Sequence, residues 1–341
     1  MIAYKYRSGR GTKDCEGKDV FERDIDLLSR DTIYIPTVAQ LNDPAEAFVD
    51  DSIFKVQLQL FKKLGAKDSI QLVENSFGSF YESIRASGIY SLSKKIDNEL
   101  MWAYYASGHC GYAIIFDTDV LANSFDRGKW GGMYEFDMTY SSKLPRFDIT
   151  KIGRDDTIKA LTCFIGNKSK AWEHEEEHRL VFDKGGKLLR IDYRAIKGFV
   201  FGCRMSDVDI DYVMKTFTGR DLDYYKVVLK EDSYKLSLQR LNDNYPTTKK
   251  YIPNNVTYDI EELLECDKFI EGVGYKYRPF VEDALNLVSQ EPFVTEIYQI
   301  LVTDDQRYPH ILIWTYVKQD GNFRPVRSFE FDIVDDKLER I

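Results

Sequence analysis

Residues 168–179 decide the fold and the site that we predict for this chain, and they read Lys-Ser-Lys-Ala-Trp-Glu-His-Glu-Glu-Glu-His-Arg. Apolar residues follow directly, and the alternation over the whole segment predicts a strand from Ala171 to Phe182. Successive side chains of a strand point to opposite faces, so Glu175, Glu177 and Arg179 share one face. Neighbouring positions on that face lie about 6.5–7 Å apart.

Two carboxylates and a guanidinium at this spacing are suited to a reaction in which the two carboxylates have different roles. The carboxylates raise each other's pKa, and a nearby arginine counters that effect. One carboxylate can stabilise a developing cation while the other orients a nucleophile. We therefore take Glu177, Glu175 and Arg179 as candidate catalytic residues. The alternative is a charged, solvent-facing strand whose acids are balanced by lysine and arginine.

Two earlier strands carry residues that could hold a nucleotide. Strand Ile2–Arg7 ends before a glycine-rich turn, where Arg7 could form a forked pair with a phosphate or a carboxylate. Strand Gly88–Ser93 places two serine hydroxyls on one face, within reach of a ribose. The candidate binding residues on these strands are Arg7, Ser91, Ser93, Tyr4 and Tyr6. Read singly, each also fits a structural role.

A third cluster lies on a predicted helix that Asn98 caps and that runs to about Ser107. Trp102 fits the core-facing stripe of that helix. Tyr105 and His109 have polar ends that could reach a pocket, although a lone histidine at this place also caps a helix C-terminus. Trp172 is expected to pack beneath the glutamate pair and could receive a flat ring.

The segment His174-Glu175-x-x-His178 matches the signature of zinc proteases. That chemistry needs a helix, so that both histidines face one way and the glutamate activates water. The β-rich residues that follow argue against a helix here. We therefore expect no metal, and keep a zinc hydrolase as the less favoured alternative, testable by metal content.

Length, charge and cysteine usage restrict the class of protein. The 341 residues predict two domains, and the net charge of −9 disfavours non-specific binding to nucleic acid. The start of the chain lacks the pattern of a signal peptide, and its apolar runs are shorter than a membrane helix. The cysteines are scattered without a CxxC pair, which predicts reduced thiols and a cytoplasmic protein.

The order of apolar and polar segments predicts an α+β protein with two domains. Residues 1–240 should form a mixed, mostly antiparallel sheet or split β-sandwich with flanking helices. Polar residues 241–253 are the predicted linker. Residues 254–341 should form a small α+β domain, with helices near 260–270 and 280–289 before an antiparallel meander of three strands. Its alternating strand 311–317 could leave one face for a protein partner.

Residues 1 to about 240 resemble domain-of-unknown-function family 2971, which is found in bacteria and phages. The residues that carry the resemblance occur in order along the chain: Tyr4-Lys-Tyr-Arg-Ser8, Leu41-Asn-Asp-Pro44 with Glu46, Ser93, Leu100-Met-Trp-x-x-Tyr105-Ala, His109-x-Gly111, and Lys168-x3-Trp172-x2-Glu175-x-Glu177-x-Arg179. The family name implies no activity.

The order of these motifs is similar to that of the R-S-E class of ADP-ribosyltransferases. The resemblance implies that Arg7 holds the phosphates or ribose of NAD as co-substrate, and that Ser91 or Ser93 positions the nicotinamide ribose. It also implies that Glu177 binds the ribose 2′-hydroxyl and stabilises an oxocarbenium-like transition state, while Glu175 orients an acceptor. The acceptor would be a protein, a nucleic acid or a small molecule, and no membrane is expected.

Two hypotheses follow from these residues. The first is an ADP-ribosyltransferase-like enzyme, of the kind used as a bacterial or phage toxin or defence effector, in which Arg7, Ser93 and Glu177 converge on one cleft. The second is a non-enzymatic binding or sensing module, in which the same residues form a structural polar network.

Overall fold

A sheet of eight strands organises residues Met1–Thr248, the first of the two units into which the chain divides. A computed structural model of the protein describes residues 1–14, 16–63, 67–125, 133–148, 157–265, 273–304, 307–319 and 326–341. The second unit is Lys249–Ile341, so the division falls inside residues 241–253.

The strands of the first unit are β1 (Ile2–Arg7), β2 (Thr32–Ile35), β3 (Gly88–Ser93), β4 (Tyr112–Asp117), β5 (Tyr134–Asp137), β6 (Thr139–Ser141), β7 (Asn167–Ser169), β8 (Glu177–Phe182), β9 (Lys187–Arg190), β10 (Ile196–Phe201), β11 (Asp223–Leu229) and β12 (Leu236–Leu241). The large sheet has the order β12-β11-β10-β4-β1-β3-β8-β5. Its neighbours are antiparallel, apart from the parallel pair β10–β11. The predicted mixed, mostly antiparallel sheet is therefore confirmed.

The helices of the first unit are α1 (Val20–Ser29), α2 (Ser52–Lys63), α3 (Lys67–Ala86), α4 (Glu99–Tyr105), α5 (Thr118–Asn123), α6 (Thr157–Ile165) and α7 (Asp207–Thr216). Asn98 caps α4 as expected, because its side chain accepts from the backbone of Leu100 and Met101. The helix ends two residues before Ser107, because residues 107–109 all adopt positive φ angles. Within the described ranges, each helix is too short or too polar to cross a bilayer.

The two faces of β4 pack into different cores, which places the sheet between two layers. Tyr112, Ile114 and Phe116 belong to the core beneath α1 and α7. Ala113 and Ile115 face the opposite layer, where Trp102 of α4 is fully buried. Because both of its faces are buried, β4 is a continuous run of apolar residues from Tyr112 to Phe116.

A third core of phenylalanines covers the sheet near β3 and β8. Phe54, Phe77, Phe147 and Phe164 have ring centroids 4.4 to 6.4 Å apart. Three of these rings lie on α2, α3 and α6, which close this side of the sheet, so the polar face of β8 is held away from bulk water.

The segment predicted as one strand from Ala171 to Phe182 is wrong in its first half. Residues Lys170–Glu175 form a 3₁₀ helix, whose first turn is capped by the hydroxyl of Ser169. Glu176 then adopts a left-handed conformation with φ of 40°, and β8 begins at the next residue. Glu175 and Glu177 therefore do not share the face of a strand. Alternating polarity could not distinguish a short 3₁₀ turn from a strand.

The second unit contains a four-stranded antiparallel sheet in the order β13 (Val294–Thr303), β14 (His310–Val317), β15 (Val326–Val334) and β16 (Lys337–Arg340). Its helices α8 (Ile260–Glu265), α9 (Val273–Lys276) and α10 (Arg278–Ser289) contribute to one core with the sheet. The meander thus has one strand more than predicted, because β16 is short and polar and lacks apolar alternation. Residues 266–270 of the predicted first helix lie outside the described residues.

Candidate functional site

A cavity of about 440 Å³ opens where β1 and β3 separate. The described strands pair at one position only, Tyr4 with Ser93. Beyond it, the amino group of Lys5 bridges the gap and donates to the carbonyl of Ser91 at 2.8 Å. The cavity is lined by side chains from both faces of the sheet, since Lys5 and Arg7 point away from the face that bears Tyr4 and Tyr6.

The predicted catalytic and binding residues mostly meet at this cavity. Its lining includes Tyr4, Tyr6, Arg7, Ser91, Ser93, Tyr105, Glu175, Glu177 and Arg179. These residues lie on β1, β3, α4 and β8 and on the 3₁₀ helix before β8. Pairing in the sheet explains the convergence, because β3 sits between β1 and β8 and places Ser93 opposite Glu177 and Ser91 opposite Arg179.

Lys168 joins the two glutamates at the floor of the site. Its Nζ lies 2.5 Å from Glu175 Oε2 and 3.3 Å from Glu177 Oε2. Tyr105 donates its hydroxyl to the other oxygen of Glu175 at 2.5 Å. The backbone also holds Glu175, because Ser93 Oγ donates to its carbonyl at 2.7 Å. Each carboxylate is thus fixed in place by short, charge-assisted contacts.

Arg179 anchors Glu177 from behind and has no exposed surface. Its Nε donates to Glu177 Oε1 at 2.8 Å. Its two terminal nitrogens form a bidentate pair with Glu46, at 2.6 and 2.8 Å, and Nη1 also donates to the Ile165 carbonyl at 2.7 Å. This satisfied guanidinium orients Glu177 and leaves no donor for a substrate, so Arg179 acts as a positioning residue.

The pKa values of the two glutamates are shifted in opposite directions. Burial raises the pKa of Glu177, but the charges of Arg179 and Lys168 outweigh it and lower that pKa to about 2. Burial, together with the charge of Glu177, raises the pKa of Glu175 despite the contact with Lys168. At neutral pH, Glu177 is therefore the fixed anion, and Glu175 is the carboxylate that is better able to take a proton.

Arg7 reaches the cavity from the opposite face of β1, where Asp24 of α1 holds it. Its Nε lies 2.6 Å from Asp24 Oδ2. Arg23 shares the same carboxylate, with Nη2 3.1 Å from Asp24 Oδ1, and also pairs with Asp14 at 2.9 Å. Both arginines line the cavity, whereas Asp14 and Asp24 are not among its described lining residues.

Trp172 and His109 are not among the described residues that line the cavity. The Trp172 ring lies beside Lys168, whose Nζ is 5.1 Å from the ring centroid. His109 occupies the left-handed turn after α4, where its carbonyl accepts from Arg204 N at 3.0 Å. The fold thus places Trp172 beside the lysine and His109 in the turn that follows α4.

The zinc-protease match does not have the helical frame that its chemistry requires. His174 lies on the 3₁₀ helix, with Nδ1 3.1 Å from the Ala171 carbonyl. His178 lies on β8, with Nδ1 2.8 Å from Asp137 Oδ1. Glu175 ends that 3₁₀ helix, where Lys168 and Tyr105 hold its carboxylate, so the two histidines and this glutamate do not share the face of one helix.

Several site residues were not selected from the sequence. Lys5 lies between Tyr4 and Tyr6, which are candidate binding residues, and Lys168 is the first residue of the stretch 168–179. A single lysine does not by itself indicate a functional site. Glu46 follows the Asn-Asp-Pro turn that carried part of the family resemblance. Its pairing with Arg179 joins residues 133 positions apart. No spacing rule within one strand or helix could identify that contact.

One family model matches a segment of the chain that includes the centre of this site. Residues 101–180 match the family model described as Protein of unknown function (DUF2971). This match confirms the family resemblance over those residues, which include Tyr105, Lys168 and both glutamates. No curated protein and no solved structure matches the chain.

Proposed function

We propose that the first unit is an ADP-ribosyltransferase-like enzyme that cleaves the nicotinamide–ribose bond of NAD. The observation that carries the proposal is the convergence of Arg7, Ser91, Ser93 and Glu177 on one cavity. Its volume of about 440 Å³ lies within the range of small-molecule and cofactor sites.

The side chains around the cavity suit a nucleotide. Five described lysine and arginine side chains line it against two carboxylates, although the whole chain has a net charge of −9. Five tyrosines also line it and offer flat walls for rings, namely Tyr4, Tyr6, Tyr34, Tyr104 and Tyr105. Guanidinium groups and aromatic walls together favour a ligand that combines phosphates with flat rings.

The carboxylates can divide the work of the reaction. In the proposed step, the bond between ribose C1′ and the pyridinium nitrogen breaks, and its electron pair leaves with neutral nicotinamide. Ionised Glu177 stabilises the positive charge that develops on the ribose, and Arg179 keeps it oriented. Glu175 accepts the proton of the attacking nucleophile, which bonds to C1′.

Nicotinamide release from NAD tests the proposal without knowledge of the acceptor, because water can serve as the nucleophile. We expect wild type to bind NAD by calorimetry and to release nicotinamide. Glu177→Gln should retain binding and lose about 10²–10³-fold in release, the usual cost of removing a group that stabilises transition-state charge. Glu173→Gln, an exposed acid on the 3₁₀ helix that precedes β8, is the matched control. Absence of binding and release in folded wild type would contradict the proposal.

A non-enzymatic module is the second candidate, and the ion network favours it. Glu177 is only 4% exposed, and both of its oxygens contact Arg179. Under this alternative, Glu177→Gln lowers stability, and neither protein turns over NAD. The same pair of proteins therefore separates the two candidates.

The cellular context belongs to the proposal as well. We place the enzyme in the cytoplasm of bacteria or phage-infected bacteria, as a toxin or defence effector. The three described cysteines are free thiols, as expected in a reducing compartment: Cys110, Cys163 and Cys203.

A further inference from the structure

Lys5 is a cavity residue that the proposed glycosidic chemistry does not use. It is partly buried on β1, and its Nζ lies in the gap between β1 and β3. The amine donates to the Ser91 carbonyl at 2.8 Å, and the ring of Tyr90 covers it with its centroid 4.7 Å away. The amine bonds to this carbonyl through an N–H, so a neutral amine in this position retains its lone pair.

The charged groups around Lys5 act in both directions. Burial is the main cause that lowers its pKa, to about 7, and the cation of Arg7 on the same strand acts in the same direction. Three carboxylates act in the opposite direction, namely Glu177 and Glu175 across the cavity and Asp24 on α1. Together they raise the pKa by less than burial and Arg7 lower it. Among the described residues, no carboxylate lies within ion-pair distance of its Nζ. A large fraction of the amine is therefore uncharged at neutral pH.

Lys168 provides an internal comparison in the same cavity. Its ammonium contacts two carboxylates, at 2.5 and 3.3 Å. Burial opposes its charge, but Glu177 and Glu175 raise its pKa above the ordinary value. The described lining of the cavity thus holds two lysines with different chemistry, because Lys168 is paired with two carboxylates, whereas the described partner of the Lys5 nitrogen is a backbone carbonyl.

We propose that Lys5 is an amine nucleophile that forms an imine with an anionic aldehyde bound in this cavity. The amine nitrogen attacks the carbonyl carbon, the carbonyl oxygen leaves as water with the two amine hydrogens, and a carbon–nitrogen double bond remains. No oxidant or reductant is consumed.

The cavity also indicates why the aldehyde should be anionic. Arg7 and Arg23 line the same cavity as Lys5, and their shared partner Asp24 lies outside its lining. Guanidinium groups hold phosphate oxygens in a forked geometry. Phosphorylated aldehydes and the open-chain form of ADP-ribose share this chemistry. The second of these is the hydrolysis product of NAD, but the inference stands without the proposed function.

Reductive trapping tests the inference in the intact chain. The protein is incubated with pyridoxal 5′-phosphate at pH 7.5, reduced with borohydride, digested and mapped by mass spectrometry. We expect Lys5 to be labelled at least tenfold faster than Lys168 and than exposed Lys95. Labelling of Lys5 should rise with pH with a midpoint near 7, following its pKa of about 7. Pyridoxal without the phosphate should label Lys5 at least threefold more slowly.

Two further arms identify the ligand and check the assignment. ADP-ribose in place of pyridoxal 5′-phosphate distinguishes a sugar aldehyde from a smaller phosphorylated aldehyde, and trapping of either at Lys5 supports the inference. Lys5→Met should abolish the fast labelling, with folding checked by circular dichroism. If that variant does not fold, the map of wild type decides by itself. Equal labelling of Lys5, Lys168 and Lys95 would overturn the inference, as would fast labelling that persists in folded Lys5→Met.

Discussion

Replacing Glu177 with glutamine should lower the free energy of unfolding of the first unit by about 3 kcal/mol at pH 7. The pKa of this carboxyl is about 2 in the folded protein, against an ordinary value of 4.5. A difference of about 2.5 pH units corresponds to about 3 kcal/mol, at about 1.4 kcal/mol for each unit. Solvent screens this interaction little, because the side chain is almost fully buried against Arg179 and Lys168.

The sign of the pH dependence follows from the direction of the pKa change. The folded pKa lies below the unfolded one, so the unfolded chain binds more protons between these values. The stabilisation by Glu177 is complete above about pH 5.5 and is lost as the pH falls towards 2. At pH 3.5, about 2 of the 3 kcal/mol should remain.

Urea unfolding of wild type and Glu177→Gln at pH 7 and pH 3.5 measures this effect directly. The difference between the two proteins should shrink by about 1 kcal/mol at the lower pH. Glu173→Gln should show no such change, because its side chain is exposed. A cost of less than about 1 kcal/mol for Glu177→Gln at pH 7, or a difference that does not depend on pH, would show that the ion pairs of Glu177 do not stabilise the fold.

Three further changes test the packing and electrostatics of the site. Tyr105→Phe removes a hydrogen bond that lowers the pKa of Glu175, so the acid limb of the pH profile of nicotinamide release should move to higher pH. Urea unfolding should show a stability loss of about 1–2 kcal/mol for the same variant. Asp24→Asn leaves Arg7 without its carboxylate, so calorimetry should show tighter binding of pyrophosphate, with stability lower by about 1–3 kcal/mol. Trp102→Ala empties a fully buried site, and urea unfolding should show a loss of about 3–5 kcal/mol.

Local patterns determined much of the first unit. Strands Ile2–Arg7 and Gly88–Ser93 were predicted with the bounds that the structure has, because alternation and flanking turns limit a short strand at both ends. The helix cap at Asn98 could also be predicted from the sequence, because a capping side chain bonds to the backbone two or three residues away. Such interactions join residues that are close together in the sequence, so they can be predicted from local sequence patterns.

The candidate site was predictable in part. The strands that carry Arg7, Ser91, Ser93 and Glu177 could be selected singly, and the order of the motifs suggested that they meet. Glu175 was selected for a wrong reason, because the expected strand is a 3₁₀ turn at that point. It still reaches the cavity, where Lys168 and Tyr105 hold it.

By itself, the sequence determined the α+β class, the principal strands and the residue types from which a site could be built, because periodicity and capping are local properties of the chain. Tertiary structure alone decided which charges face one another. Arg179 bonds to Glu46 across 133 positions, and the proton affinities of Glu175, Glu177 and Lys5 depend on burial and on neighbours from other elements. Electrostatic energy depends on distance and solvent access in the folded protein, and neither quantity is encoded in the spacing of residues along one strand.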